Sequence, residues 1–315
     1  MFSRFPKYCW LDHSKCRLIV FAVLSASVMT LVLGAQASEE VPGAFALNVS
    51  GARPIGLNGA YVAIADDANA IWWNPAGTSQ LGRTVFTSTH TSLYDVDGLS
   101  MSSLGFAKPT DVGALGVGVT YLRASDIPIT DSNGSIIEYS VQSEEVLTLS
   151  YGNSLFNRLH LGASVRFLHS GQILDYSGLS LDLGLLANPA RRFYLGAMLQ
   201  QIASYLMVGD DGDSQKFPRN IKAAAAFRTG RLSVGLGLDN ISLSNYREIS
   251  AGCEVSPGDL VALRTGLRAG MRNETNLSWS AGIGLNLKKV HVDYAYTNQT
   301  SLASNHLISI SLFID

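Results

Sequence analysis

Beyond Gln80 the chain alternates apolar residues with small or polar ones almost to its end. In Leu115-Gly116-Val117-Gly118-Val119-Thr120-Tyr121 every second residue is apolar. Leu232, Val234, Leu236 and Leu238 alternate with Ser233, Gly235, Gly237 and Asp239, and the same rhythm runs through Leu277–Leu287 and Val290–Thr297. A period of two is that of a β-strand, whose successive side chains point to opposite faces. The pattern predicts about fourteen strands, near 83–94, 98–108, 112–123, 143–152, 158–169, 176–187, 191–203, 219–228, 231–241, 246–256, 259–270, 276–287, 289–298 and 305–314. Most run to about ten to twelve residues, whereas ordinary globular strands average roughly five or six and a tilted membrane-spanning strand needs roughly nine to eleven. Length therefore favours an all-β, antiparallel transmembrane barrel over a sandwich.

The gaps between runs alternate short and long. Pro109-Thr110-Asp111, Asn188-Pro189-Ala190, Thr229-Gly230, Pro257-Gly258 and Lys288 read as tight turns, with 153–157 a slightly longer one on the same end. Arg123–Gln142, Ser170–Asp175, Ser204–Pro218, Arg272–Thr275 and Gln299–Ser304 read as loops. Outer-membrane barrels show this asymmetry, with short turns in the periplasm and loops outside.

The two faces differ chemically. One holds Leu, Val, Ile and aromatic residues and suits lipid. The other holds Gly, Ser and Ala together with the charges Arg166, Asp182, Lys222, Asp239, Glu248, Glu254, Arg264, Arg268 and Asp293. A charge facing lipid at mid-depth costs roughly 2–4 kcal/mol, so these belong in the lumen. Arg264 and Arg268 are expected to pair with acidic neighbours such as Glu254. By the same register Leu236 faces lipid and Gly235 the lumen, where a small polar replacement should be mild.

Between Ser38 and Leu81 the alternation is absent. Gly59-Ala60-Tyr61-Val62-Ala63-Ile64-Ala65 leads into Asp66-Asp67, and the stretch ends Trp72-Trp73-Asn74-Pro75-Ala76-Gly77. One of the paired aspartates is expected to cap a short helix through Ile71 and Trp72. Pro75 closes the helical option at Trp73 or Asn74. Gly51, Gly56 and Gly59 permit tight reversals. A short folded segment ahead of a barrel has a place inside it, and the small residues of the inner face leave room. Trp72 and Trp73 then pack this hatch against the wall.

Residues 1–37 read as an export signal. Arg4, Lys7, Lys15 and Arg17 precede the apolar run Leu18–Leu33, and Ala35-Gln36-Ala37 is a cleavage signature. The expected organisation is a signal peptide at 1–37, a hatch at 38–81 and a barrel at 82–315. The whole chain carries 23 Lys+Arg and 25 Asp+Glu. Losing the leader removes four basic side chains and one acidic one, which leaves a mildly acidic protein without a basic run to suggest nucleic acid. Cys253 is the sole cysteine after the leader, so no internal disulfide can form.

The stretch AFALNVSGARPIGLNGAYVAIADDANAIWWNPAG resembles the N-terminal hatch of FadL-type outer-membrane proteins. It is closer to the PorV/PorQ branch, in which a GAR-x-x-G-x-x-G-A start, an A-x-ADDA-x-A centre and a WNPAG end recur. VDYAYTNQTSLASNHLISISLFI is similar to that branch's last hairpin. The resemblance implies a fourteen-stranded barrel. It places Asn74, Pro75 and Ala76 in the hatch-end motif and Asp66 and Asp67 in the acidic pair. It implies outer-membrane lipid as surroundings, and either hydrophobic small molecules or, for a PorV-like accessory role in secretion, secreted proteins as partners. Two features depart from the FadL pattern: the loops are modest, and the last residues are Phe313-Ile314-Asp315 rather than a terminal aromatic.

The sequence has no HExxH, GxSxG, Walker or CxxC motif and no metal-ligand spacing among its histidines, so no catalytic residue, metal or cofactor is assigned. Asp210-Asp211-Gly212-Asp213 reads as an acidic turn rather than a calcium loop. The rival readings are a purely structural barrel and a barrel enzyme such as a lipid hydrolase.

Overall fold

The computed structural model describes residues 50–130, 136–156, 158–171, 175–208, 213–217, 219–239, 247–271, 277–299 and 302–314. The leader, its cleavage after Ala37, the first part of the expected hatch and the Asp210-Asp211-Gly212 turn lie outside these residues. The strands are β1 (Thr84–Ser92), β2 (Leu99–Thr110), β3 (Gly113–Thr130), β4 (Ile136–Phe156), β5 (Leu159–Gly171), β6 (Tyr176–Ala190), β7 (Phe193–Val208) and β8 (Asp213–Gln215). They continue as β9 (Asn220–Arg228), β10 (Leu232–Asp239), β11 (Glu248–Val255), β12 (Val261–Gly270), β13 (Leu277–Leu287), β14 (Val290–Gln299) and β15 (Leu302–Ile314).

Fourteen of them close a ring in chain order. β1 pairs with β15 from Thr84↔Ile314 onward, and β7 passes directly to β9. Every pairing is antiparallel. The short β8 pairs only with Leu206–Val208 of β7. Closure satisfies the backbone groups from strand to strand and leaves no edge, which is what a sheet needs inside a bilayer.

The alternation assigns the faces as the sequence implied. Leu236 is 57% exposed on the outside, between the inward Gly235 and Gly237. Leu104, Leu115, Leu149, Phe167, Leu183, Leu263, Leu285 and Ile310 are exposed in the same sense around the whole circumference. A soluble monomer rarely exposes a contiguous apolar patch beyond a few hundred Å². A belt that surrounds the molecule is matched by lipid.

Four boundaries differ from the pattern. The expected loop Ser204–Pro218 is ladder over Leu206–Val208 and Asp213–Gln215. The expected loop Arg123–Gln142 is mostly ladder: β3 and β4 continue as a projecting ribbon through Ile127↔Ser140 and Ile129↔Glu138, after a bulge at Asp126 (φ 60°). Asp126 and Pro128 interrupt the alternation. On this ribbon β3 has lost its β2 neighbour, and proline is tolerated on such an edge. The expected turn at 153–157 is largely strand, since β4 runs to Phe156. The turn expected at Asn188-Pro189-Ala190 falls on Arg191-Arg192, because β6 reaches Ala190 through an irregularity after Ala187.

β7 carries one further bulge. Leu181 pairs with Ala203 but Leu183 with Leu199, and Gln201 adopts φ 58°. The Gln201 N–H donates to Asp182 Oδ1 at 2.8 Å, which anchors the bulge to the neighbouring strand.

Candidate functional site

Residues 50–81 fold inside the barrel, toward the end that carries the short turns and the β1 and β15 termini. Helix α1 (Ala52–Gly56) follows Gly51 at φ 98°, and Gly59 at φ 83° reverses the chain after it. Helix α2 (Ala70–Trp73) ends at Asn74, and Pro75–Gln80 form a 3-10 turn. Pro75 acts as expected, as a helix stop and as the first residue of the next turn. The capping aspartate is Asp67, and it caps the turn that leads into α2 rather than α2 itself. The residue before α2 is Asn69, whose side chain does not cap. Asp67 Oδ1 instead accepts the Asn69 backbone N–H at 2.7 Å and the Tyr61 hydroxyl at 2.8 Å, which orders the approach to the helix.

The segment has its own core of Leu57, Tyr61, Ile64, Ile71, Trp72 and Trp73, packed on Val85, Ala107 and Ala226 of the wall. Trp73 lies edge-on to Tyr61 with centroids 5.9 Å apart. Its indole N–H donates to the Ser50 carbonyl at 2.7 Å, and Lys222 sits 5.5 Å from its ring. Asn74 is a fastener: its amide donates to the carbonyls of Val62 (2.9 Å) and Leu185 of β6 (3.2 Å), and its oxygen accepts the Ala76 N–H (3.2 Å).

A belt of inward glycines receives this segment. A Cβ on Gly162 would lie 2.2 Å from Ala76 N, on Gly196 2.6 Å from the Val62 carbonyl oxygen, and on Gly252 2.7 Å from that of Leu57. Gly105 and Gly118 lie under the Trp72 ring, and Gly266 touches Leu57 and Asn58. The small residues do not leave spare room. They let hatch backbone touch strand backbone.

Charge fixes the segment at one side. Arg53 holds Glu254 of β11 through Nε and Nη2, both at 2.8 Å, and Asp66 (2.6 Å) and Asp67 (2.8 Å) through Nη1. Asp66 also pairs with Arg228 at the end of β9. Burial alone would raise the Asp66 carboxyl, but Arg53 and Arg228 hold it below the usual carboxylate range. Burial, then the Asp67 charge, pushes the Tyr61 phenol well above its ordinary value.

The sequence-predicted charges all face inward and fall into groups. Arg264 bridges Glu254 (2.6 Å) and Asp293 (2.5 Å), and so extends the Arg53 network into β12 and β14. Lys222 pairs with Asp239 at 3.2 Å. Arg268 reaches Glu248 (3.3 Å) and Asp239 (4.0 Å), not Glu254, and donates to the Asn58 carbonyl at 3.1 Å. Arg166 and Asp182 form a fully buried pair at 2.8 Å, and Arg166 also donates to the Trp72 carbonyl at 3.0 Å. Sequence reasoning did not single out Arg53 and Arg228, the cations whose ion pairs tie hatch to wall. Arg53 lay in the quoted GAR motif, but its partner Glu254 is 201 positions away.

The wall beside Ile71 and Trp72 is polar, and toward the loop end the lumen becomes apolar. The buried hydroxyls of Thr148, Ser150 and Ser180 have no hydrogen-bond partner among the described residues. Beyond them Val146, Leu168, Tyr176, Leu206 and Phe217 form a second apolar cluster. Among the described residues no three His, Cys, Asp or Glu side chains are placed to hold a metal ion.

This geometry is a closed antiparallel barrel with a folded N-terminal segment in its lumen. Among solved structures, the Ralstonia pickettii toluene transporter TbuX aligns over 86% of this chain and 100% of its own, at TM-score 0.62 and 15% identity. The Pseudomonas putida toluene transporter TodX aligns over 85% and 99%, at 0.63 and 13%. A Pseudomonas aeruginosa FadL homologue aligns over 84% and 98%, at 0.60 and 12%. No family model matches the chain, and no curated protein matches it in sequence. The shared feature is the fold, that of FadL-type outer-membrane barrels.

Proposed function

We propose that the protein lies in the outer membrane and passes small hydrophobic compounds across it without chemical change, with residues 38–81 as the hatch that gates passage. The observation that carries this reading is the fit of residues 50–81 into the glycine belt. Main chain meets main chain around the lumen, so a solute can pass this level only when the segment shifts. The apolar cluster at the loop end offers a hydrophobic solute its first contact. The proteins of like fold are described as toluene transporters, which agrees in direction. The export leader with cleavage near Ala37 belongs to the same reading.

Passage without chemical change agrees in direction with the description of the proteins of like fold as transporters. Ser79–His160, His90–Ser102 and His169–Ser177 are Ser–His contacts, yet among the described residues none has an acid within bonding distance of the imidazole, and His90 and His169 are exposed on the outer face. A PorV-like role in secretion rests on the resemblance of Gly59–Gly77 and the last hairpin, and deletion of the gene would then strand cargo proteins in the periplasm. The test of the main reading is uptake by whole cells, whose outer lipopolysaccharide leaflet resists apolar solutes. Toluene and longer apolar solutes should enter cells that carry the protein faster than cells that lack it, while a sugar of similar size should not. Equal entry with and without the protein would refute it.

A further inference from the structure

The charge of the described residues is unevenly distributed between the two rims. On the short-turn rim, Lys108 precedes the β2–β3 turn, Arg158 opens β5, Arg191 and Arg192 form the β6–β7 turn, and Arg231 precedes β10. Lys288 and Lys289 form the β13–β14 turn, and Arg83 leads into β1. All are exposed, and the exposed acids at that rim are Asp111 and Asp259. The loop rim is mixed, with Asp95, Asp97, Asp126 and Asp175 against Arg123, Lys216, Arg219 and Arg247.

The basic residues follow the perimeter rather than one side, and they sit where the apolar belt ends. Phe156 and Phe193 are exposed beside Arg158 and Arg192, and Phe193 stacks edge-on with Phe227 at 5.3 Å. Aromatic rings at the end of an apolar belt mark headgroup depth. The anions found at that depth all round a barrel are lipid phosphates. A protein partner would dock on one side and would not call for a ring.

One place on the rim is concave. Arg191, Arg192, Tyr194, Arg228, Thr229 and Gly230 line a cleft of about 340 Å³ between the β6–β7 and β9–β10 turns. Arg228 lies 4.9 Å from the Tyr194 ring and is partly neutralised by Asp66. Neither Arg191 nor Arg192 has an ion-pair partner among the described residues. Guanidinium groups match phosphate oxygens in pairs, which a lysine cannot do. We propose that this cleft binds the phosphate headgroup of an anionic phospholipid in the leaflet that faces the short turns, with Arg191 and Arg192 as its principal contacts.

The test uses the full-length protein with a tryptophan reporter, Phe193→Trp, in a Trp279→Phe background that removes the lipid-facing tryptophan, in vesicles containing brominated phosphatidylglycerol or brominated phosphatidylcholine at equal fraction. The anionic phosphatidylglycerol should quench the reporter in clear preference. Arg191→Ala with Arg192→Ala should reduce that preference by about fivefold per arginine. Arg191→Lys with Arg192→Lys should restore part of it, and Lys216→Ala on the other rim should leave it unchanged. Retained heat-modifiable mobility on gels shows that each variant has folded. No preference for the anionic lipid, or a preference that the double alanine variant keeps, would overturn the proposal. Full displacement by inorganic phosphate at constant ionic strength would also overturn it, since the cleft would then be a site for a free anion. Preference lost only when an acidic protein is added would identify a protein-docking surface instead.

Discussion

Replacing Gly162 by alanine should displace the hatch while leaving the barrel closed. The added Cβ would lie 2.2 Å from Ala76 N, 2.3 Å from the Pro75 carbonyl carbon and 2.6 Å from its oxygen. All three are main-chain atoms at a proline, so no side chain can swing away. Overpacking of this kind costs about 1–3 kcal/mol. The wall cannot yield cheaply, because Gly162 sits in a ladder between Gly152 and Gly184. The hatch yields more readily, since its hydrogen bonds to the wall, such as Ala52 N–H to Ser309 Oγ and Arg166 to the Trp72 carbonyl, run through side chains that can follow a small shift. A cost near 2 kcal/mol would raise the displaced fraction roughly thirtyfold. Gly230 and Gly258 provide the control: nothing lies within 4 Å of a Cβ at either, so alanine there should have no effect. The assay is acrylamide quenching of Trp72 and Trp73 in a Trp279→Phe background, with heat-modifiable mobility to report the barrel. Quenching should rise in Gly162→Ala and not in Gly230→Ala. Equal quenching in the two would refute the claim that backbone contact at the glycine belt seats the hatch.

Arg53→Ala should loosen the hatch more than Gly162→Ala, since it leaves Glu254, Asp66 and Asp67 facing one another. Arg53→Lys should rescue poorly because one ammonium cannot make the paired contacts, and chymotryptic nicking at Tyr61, Trp72 or Trp73 reads both. Asp66 has a folded pKa below its unfolded value, so its contribution is complete above the ordinary carboxylate range near 4 and is lost as pH falls through the depressed value. Hatch quenching should therefore stay flat from neutral to mildly acidic pH and rise only in stronger acid, whereas Asp66→Asn should be loose already at neutrality. Arg166→Met strands Asp182 in the interior and should cost about 3–5 kcal/mol in urea unfolding, much of it recovered by adding Asp182→Leu. Leu236→Arg puts a charge into lipid and should cost roughly 2–4 kcal/mol, read as reduced folding into vesicles.

Fourteen strands and their facing were legible because a two-residue period is local: it names the face of Leu236 or Gly235 without reference to anything distant. What presses on that face is not local. A serine at Gly235, mild by strand pattern, would place its Cβ 2.6 Å from the Ala60 carbonyl oxygen, which belongs to a segment 175 positions earlier in the chain. The Arg53–Glu254 and Arg228–Asp66 pairs were hidden for the same reason, as was the choice of Glu248 rather than Glu254 for Arg268. The β3–β4 ribbon was read as a loop because Asp126 and Pro128 break the alternation that the ladder survives. The basic rim was invisible because its residues come one or two per turn, and only closure of the barrel brings them into a ring.

The central claim is that the hatch must shift for a solute to pass, and a reversible lock tests it most directly. The Ser50 and Ser103 hydroxyls are hydrogen-bonded to each other across the hatch–β2 contact, so Ser50→Cys with Ser103→Cys, in a Cys253→Ser background, can form a disulfide. The segment runs on into β1 at Thr84, so oxidation would tether it at both ends. Toluene uptake by cells carrying the locked protein should fall toward that of cells lacking it on oxidation and return on reduction. Flux that is unchanged while the disulfide is complete would contradict the account.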